Sequence, residues 1–191
     1  MTPQGLGMLP PGVVLGEDGD VFQRATGFSF PSRVAGLPRI DVRLYDALGA
    51  SLGVTYRAGE DGEPWVTVFV FGARVGESLV THFTEAEAEL SRRYAGVFVL
   101  SRRRFAVAVE GAKRALGLEL AARIPSGIDT GGARAWLTLL QCGDVYVKLR
   151  VSSAERAANE ARRLVADTYR EVVRPFLELR EPLRSATSSR R

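Results

Sequence analysis

The apolar positions of this chain fall into two phases of alternation, each closed by a helical stretch. Ile40-Asp41-Val42-Arg43-Leu44-Tyr45 alternates apolar and polar residues, the pattern of a half-buried strand. Ala50 to Arg57 predicts a second strand. Gly59-Glu60-Asp61-Gly62 then predicts a turn, because Gly tolerates positive φ and Asp can bond its own backbone. Trp65-Val66-Thr67-Val68-Phe69-Val70-Phe71 is apolar on both faces and rich in β-branched residues, which predicts a central strand covered on both sides. A helix is expected next. Thr84-Glu85-Ala86-Glu87 has the spacing of a capping box, with Phe83 before it and Ala86, Leu90 and Tyr94 at helical intervals. That helix should end near Gly96.

The second phase repeats the alternation. Phe105 to Val109 reads as a strand leading into a turn at Glu110-Gly111, and Leu116 to Arg123 reads as another. Ile124 to Arg134, with Pro125, Gly127, Gly131 and Gly132, reads as a loop. Ala135 to Gln141 and Val145 to Val151 predict a hairpin around Cys142-Gly143-Asp144. Ser152-Ser153-Ala154-Glu155 predicts a second capping box. From Ala158 to Phe176 one apolar stripe then runs at helical period, and Pro175 marks a kink or stop. Turns, not helical crossovers, join most of the strands. The expected fold is therefore α+β: a mainly antiparallel curved sheet of about seven strands with two packing helices. Residues 1–20 read as an extended N-terminal arm, 21–180 as one domain, and 181–191 as a disordered basic tail.

Two stretches carry a resemblance. Thr26-Gly27-Phe28-Ser29-Phe30-Pro31 with Val34-Ala35-Gly36-Leu37-Pro38-Arg39, followed by Val54-Thr55-Tyr56-Arg57 and Val66 to Val70, resembles a family of uncharacterised bacterial α/β domains. Val147-Lys148-Leu149-Arg150-Val151 and the long helix after it are also similar, and the whole layout resembles the PsbP-like α/β/α sandwich. PsbP-like domains serve as accessory subunits, small-GTPase-binding factors and secretion-effector chaperones. The resemblance therefore implies a role in protein contacts, and it implies no catalytic residue.

Composition narrows the chemistry. The 191 residues are 46% hydrophobic and 25% charged, which suits a globular domain able to bury its own core. One cysteine, Cys142, excludes an intrachain disulfide. The N-terminal segment has neither a basic region nor an unbroken apolar stretch, so the expected compartment is the cytoplasm, or the exterior if a leader has been removed. No apolar run is long enough for a membrane span. Charge is uneven, with net −4 over residues 1–100 and +8 over 101–191. A Ser-His-Asp triad would have to use His82, the single histidine, which reads instead as an exposed or capping-region residue. Cys142 sits in a predicted turn without a helix N-terminus to activate it. Glu17, Asp18 and Asp20 lack the full calcium-loop pattern, and neither a phosphate loop nor a dinucleotide fingerprint occurs. No cofactor or metal is expected.

What remains is surface. Arg92, Arg93, Arg102, Arg103 and Arg104, with Arg162-Arg163 and Arg190-Arg191, could form one basic patch. Trp65 and Phe69 share a strand face with Phe71, either as core or as an apolar groove. The leading expectation is a non-enzymatic binding module whose partner is another protein. The alternatives are an anion or nucleic-acid binder using the basic half, and a carboxylate-dependent enzyme using residues such as Asp129 or Asp144.

Overall fold

The computed structural model describes residues 9, 11–47, 49–58, 64–73, 76–108, 114–125, 132–154 and 157–179. The turn expected at Gly59–Gly62, most of the loop after Ile124 (Asp129 included), Glu155 and the tail from 181 lie outside them.

Eleven described strands form two antiparallel sheets. The small one orders β1 (Val13–Leu15), β2 (Val21–Gln23) and β3 (Phe28–Phe30). The lead-in expected to be an extended arm thus contains a paired strand, anchored by Val13 in the core. The large sheet has eight strands in the order β4 (Arg33–Val34), β5 (Leu37–Leu44), β6 (Ser51–Arg57), β7 (Trp65–Gly72), β11 (Val145–Ala154), β10 (Ala133–Cys142), β9 (Arg114–Ile124) and β8 (Phe98–Ala108). The class is α+β, as the alternation predicts. The doubly apolar β7 is indeed central, between β6 and β11.

Helices cover both faces. Strand alternation sends Leu137 and Leu139 of β10 to one side, where they meet Phe83 and Leu90 of α1 (Leu79–Arg93). It sends Trp136 and Leu140 to the other side, with Val66, Val68 and Val70 of β7. There they meet a rod of three consecutive pieces: α2 (Ala158–Thr168), a π-helical turn (Tyr169–Val173) and α3 (Arg174–Leu179). The small sheet packs against the rod's end, with the Phe28 and Phe176 rings 4.6 Å apart.

Both expected capping boxes are displaced. Helix α1 begins five residues before Thr84. Its cap is Ser78, whose side chain accepts the Thr81 N–H at 3.1 Å, so Thr84 lies within the helix. Ser152 and Ser153 do not cap α2. Both are buried in β11, which runs on to Ala154, and α2 starts after Ala157 with no side-chain cap. Pro175 does not stop the rod. The wider π turn precedes it, with the Arg174 N–H bonded to the Tyr169 carbonyl, and relieves the clash a proline ring makes with the preceding turn.

Candidate binding site

Strand β8 is the far edge of the large sheet. Helical cover is thin there: α1 packs mainly on β9 and β10 and touches β8 through the Arg102–Glu87 pair, and α2 packs mainly on β10 and β11. Phe98 and Leu100 are 64% and 40% exposed, and residues 101–104 are all exposed. The ladder to β9 slips between Val99 and Ser101, leaving Leu100 without a partner. The arginine run belongs to this strand. The apolar alternation starts only at Phe105, because residues 100–104 are all exposed and no buried side imposes a period on them.

Beside β8, on the α2 face, lies a groove of about 460 Å³. Phe105 and Val107 of β8, Trp136 of β10 and Leu149 of β11 form its floor, and Val165 and Ala166 of α2 form its wall. Gly117 is what lets Phe105 lie flat, since a Cβ there would fall 2.3 Å from the ring across the ladder. Arg103, Arg162, Arg170 and Arg174 rim the groove, against one lining acid, Glu119. Arg103 is held by Glu119 at 2.7 Å, Arg170 by Asp167 at 2.9 Å and Arg174 by Glu178 at 2.8 Å. Two buried hydroxyls among the lining residues, Thr138 Oγ1 and Tyr169 OH, have no hydrogen-bond partner among the described residues. Burial raises the Tyr169 pKa, so this hydroxyl keeps its proton. Arg103 and Arg162 belong to the arginines singled out in the sequence; the other groove residues were missed there, though two signals exist. Thr138 interrupts an apolar run, and Arg162, Ala166, Arg170 and Arg174 recur every fourth position on one helix face.

Of the β7, α1 and β8 residues expected to form a surface, Arg103 lies on the α2 side of the sheet and the others on the α1 side. Arg102 and Arg104 point to the α1 face, as their register opposite Leu120 and Leu118 requires, and Arg103 points to the α2 face. Arg102 pairs with Glu87 of α1. Arg92 and Arg93 end α1. The Arg92 Nε donates to the Ala88 carbonyl at 3.4 Å, and Arg93 stacks 5.8 Å from the Tyr94 ring. Trp65 and Phe69 lie together on the α1 face, half buried.

His82 is not exposed. Its side chain is 11% accessible, wedged 4.4 Å from the Tyr146 ring, with Nε2 2.8 Å from a Glu77 carboxylate oxygen. Cys142 ends β10 and is buried, but with the α2-side core. The sheet therefore separates Cys142 from His82, and the two cannot act as a pair. Asp20 accepts the Ser32 N–H at 3.0 Å, a structural bond. No three His, Cys, Asp or Glu side chains among the described residues are placed to share a metal.

Lys148 is a largely buried cation in the sheet, with 18% of its side chain accessible. Its ammonium sits 4.3 Å above the Phe69 ring and 3.7 Å from Glu89. Burial lowers its pKa, aided by Arg150 and opposed by Glu89. Between the lowered value and the ordinary one, the unfolded chain binds more protons than the native state, so stability rises with pH across that window. Lys148→Met is expected to stabilise the fold by about 1 kcal/mol at pH 7, with the gain shrinking as pH approaches the ordinary lysine range. Thermal melts of both proteins at pH 7 and pH 10 check this. A less stable variant at pH 7 would show that the ring and carboxylate contacts outweigh desolvation.

No described helix is long and apolar enough to cross a membrane. No protein-family model matches the chain, and no curated protein matches it. Its layout is similar to the solution structure of cyanobacterial PsbP (CyanoP) from Synechocystis sp. PCC 6803. The sequence identity is 14%, the TM-score is 0.49, and the match covers 83% of this chain and 92% of that one.

Proposed function

We propose that this protein is a non-enzymatic binding module acting through protein contacts, and that strand β8 is its docking element. The observation behind this reading is the length and openness of that edge: eleven residues at the end of an eight-stranded sheet, with Phe98 and Leu100 exposed. An unpaired edge is a template for one more strand, because its outward N–H and C=O groups await partners. The arginines choose the partner. Antiparallel pairing of β8 with its own copy, centred on Arg103, sets Arg102 opposite Arg104 and Arg103 opposite itself, and like charges facing across a ladder repel. An extended segment carrying acidic residues meets the same positions favourably. Arg102 and Arg103 are partly balanced by Glu87 and Glu119, so Arg104, with no ion pair among the described residues, contributes most to discouraging self-association and favouring an acidic strand.

A synthetic peptide of about ten residues alternating Glu and Val tests the reading. It should bind saturably and slow hydrogen exchange at the β8 amides, and Arg104→Glu should weaken it about tenfold. The same peptide with Lys for Glu should not bind. Equal binding of both peptides, or binding that leaves β8 amides unprotected, would sink the proposal.

A further inference from the structure

From the groove under α2 we infer a binding site for a small amphipathic anion, an aliphatic or aromatic carboxylate, independent of strand docking at β8. Three observations converge. The volume, about 460 Å³, lies in the range of small-molecule pockets. Its floor is apolar, so a hydrocarbon body would lie against Phe105, Trp136 and Leu149. Its rim is cationic, and the arginines there are not equivalent. Arg103, Arg170 and Arg174 each hold a carboxylate of the protein itself, whereas Arg162 is exposed and makes no ion pair or hydrogen bond among the described residues. A ligand carboxylate on Arg162 would make a planar, two-pronged contact.

The polar groups beneath the rim point the same way. Thr138 is 3% exposed, and neither its Oγ1 nor the Tyr169 OH has a hydrogen-bond partner among the described residues. A buried hydroxyl without a partner is costly, and rotation about one side-chain bond can turn it toward a polar atom in the groove. Tyr169 also opens the π-helical turn, a local irregularity that recurs at functional sites, and this turn forms the groove's end wall. Arginine without apolar surface would favour any anion. Apolar surface without arginine would favour any hydrocarbon. The combination selects molecules that have both parts.

Octanoate and octanol are the matched probes, since they share a chain and differ in charge. The readout is Trp136 fluorescence in a Trp65→Phe background, which leaves one tryptophan, in the groove floor. Octanoate should saturate the signal and bind at least about tenfold more tightly than octanol, the effect of one charge-assisted contact. Arg162→Gln should remove most of that difference. Ala166→Phe fills the groove from an exposed wall position, and should abolish binding without altering the melting temperature. Arg104→Glu, on the opposite sheet face, should leave octanoate binding unchanged, so failure of the docking proposal and failure of this one are distinguishable. Equal affinity for octanoate and octanol, no saturation by either, or full binding by a folded Ala166→Phe protein would overturn the inference.

Discussion

Val173→Asp is expected to abolish the cooperative thermal transition of this protein. Val173 is fully buried where the π turn meets the α2-side core, among residues that include Val172 and Phe176. The side chains packed there are apolar, so the new carboxylate would enter among them without a counter-ion in place. The effective cost of burying an ion is several kcal/mol even after relaxation, and losing the valine packing adds to it. A domain of this kind has about 5–15 kcal/mol of total stability, so one such substitution removes most of it. Leu164→Asp, one helical stretch earlier and 5% exposed, should behave alike. Arg163→Asp, next to it on the exposed side, should melt close to wild type. Circular dichroism melts of the three proteins decide the matter. If Val173→Asp retains a wild-type transition, the rod does not bury this stripe.

Arg39→Ala is expected to lower the melting temperature by roughly 6–12 °C, from a loss of about 3 kcal/mol. The Arg39 guanidinium ties two sheets together. It donates to the Gly19 carbonyl at 2.6 Å, to Phe30 at 3.1 Å and to Pro31 at 3.4 Å, and Tyr56 OH donates to the same Pro31 carbonyl at 3.0 Å. Burial lowers the Arg39 pKa while Tyr56 and Asp20 oppose the shift, and the guanidinium stays charged throughout the physiological range. Truncation would remove the Arg39 donor from the Gly19 and Phe30 carbonyls in a partly closed space and leave Pro31 only its Tyr56 partner. The β1–β3 amides should exchange faster than those of the large sheet, because the small sheet loses its clamp first. Arg39→Lys should recover only part of the loss, since a single ammonium cannot span the same acceptors. Unchanged melting and exchange in Arg39→Ala would mean that the Phe28–Phe176 packing alone holds the small sheet.

The same residues explain the recognisable stretch from Thr26 to Arg39. Ala35 (φ 48°) and Gly36 (φ 80°) turn β4 into β5, and Glu171 on the rod receives the Ala35 N–H at 2.7 Å. Thr26 Oγ1 donates to Gln23 at 2.7 Å, and the Gln23 side chain, fully buried, reaches the Gly49 carbonyl. These residues join the lead-in to the main sheet. Their pattern was legible because each has a specific backbone or hydrogen-bonding task, yet none of those tasks is chemistry on a ligand.

Local pattern determined the α+β class, the central place of β7, the hairpin of β10 and β11 and the apolar stripe of the rod. In each, one or both faces are dry, so the buried side imposes a period on the residue types that one chain segment alone reveals. Tertiary structure decided everything that depends on where cover ends. The helices pack mainly on β9, β10 and β11, which leaves three consecutive arginines exposed on two faces of an edge strand and a groove beside it. The two capping boxes failed for a related reason. A hydroxyl caps only where the backbone leaves the helical region, and packing of α1 on β9 and β10 and the length of β11 set those points, not the spacing of Thr84 with Glu87 or Ser152 with Glu155. The sheet itself separated His82 from Cys142, a fact about faces that no linear spacing carries.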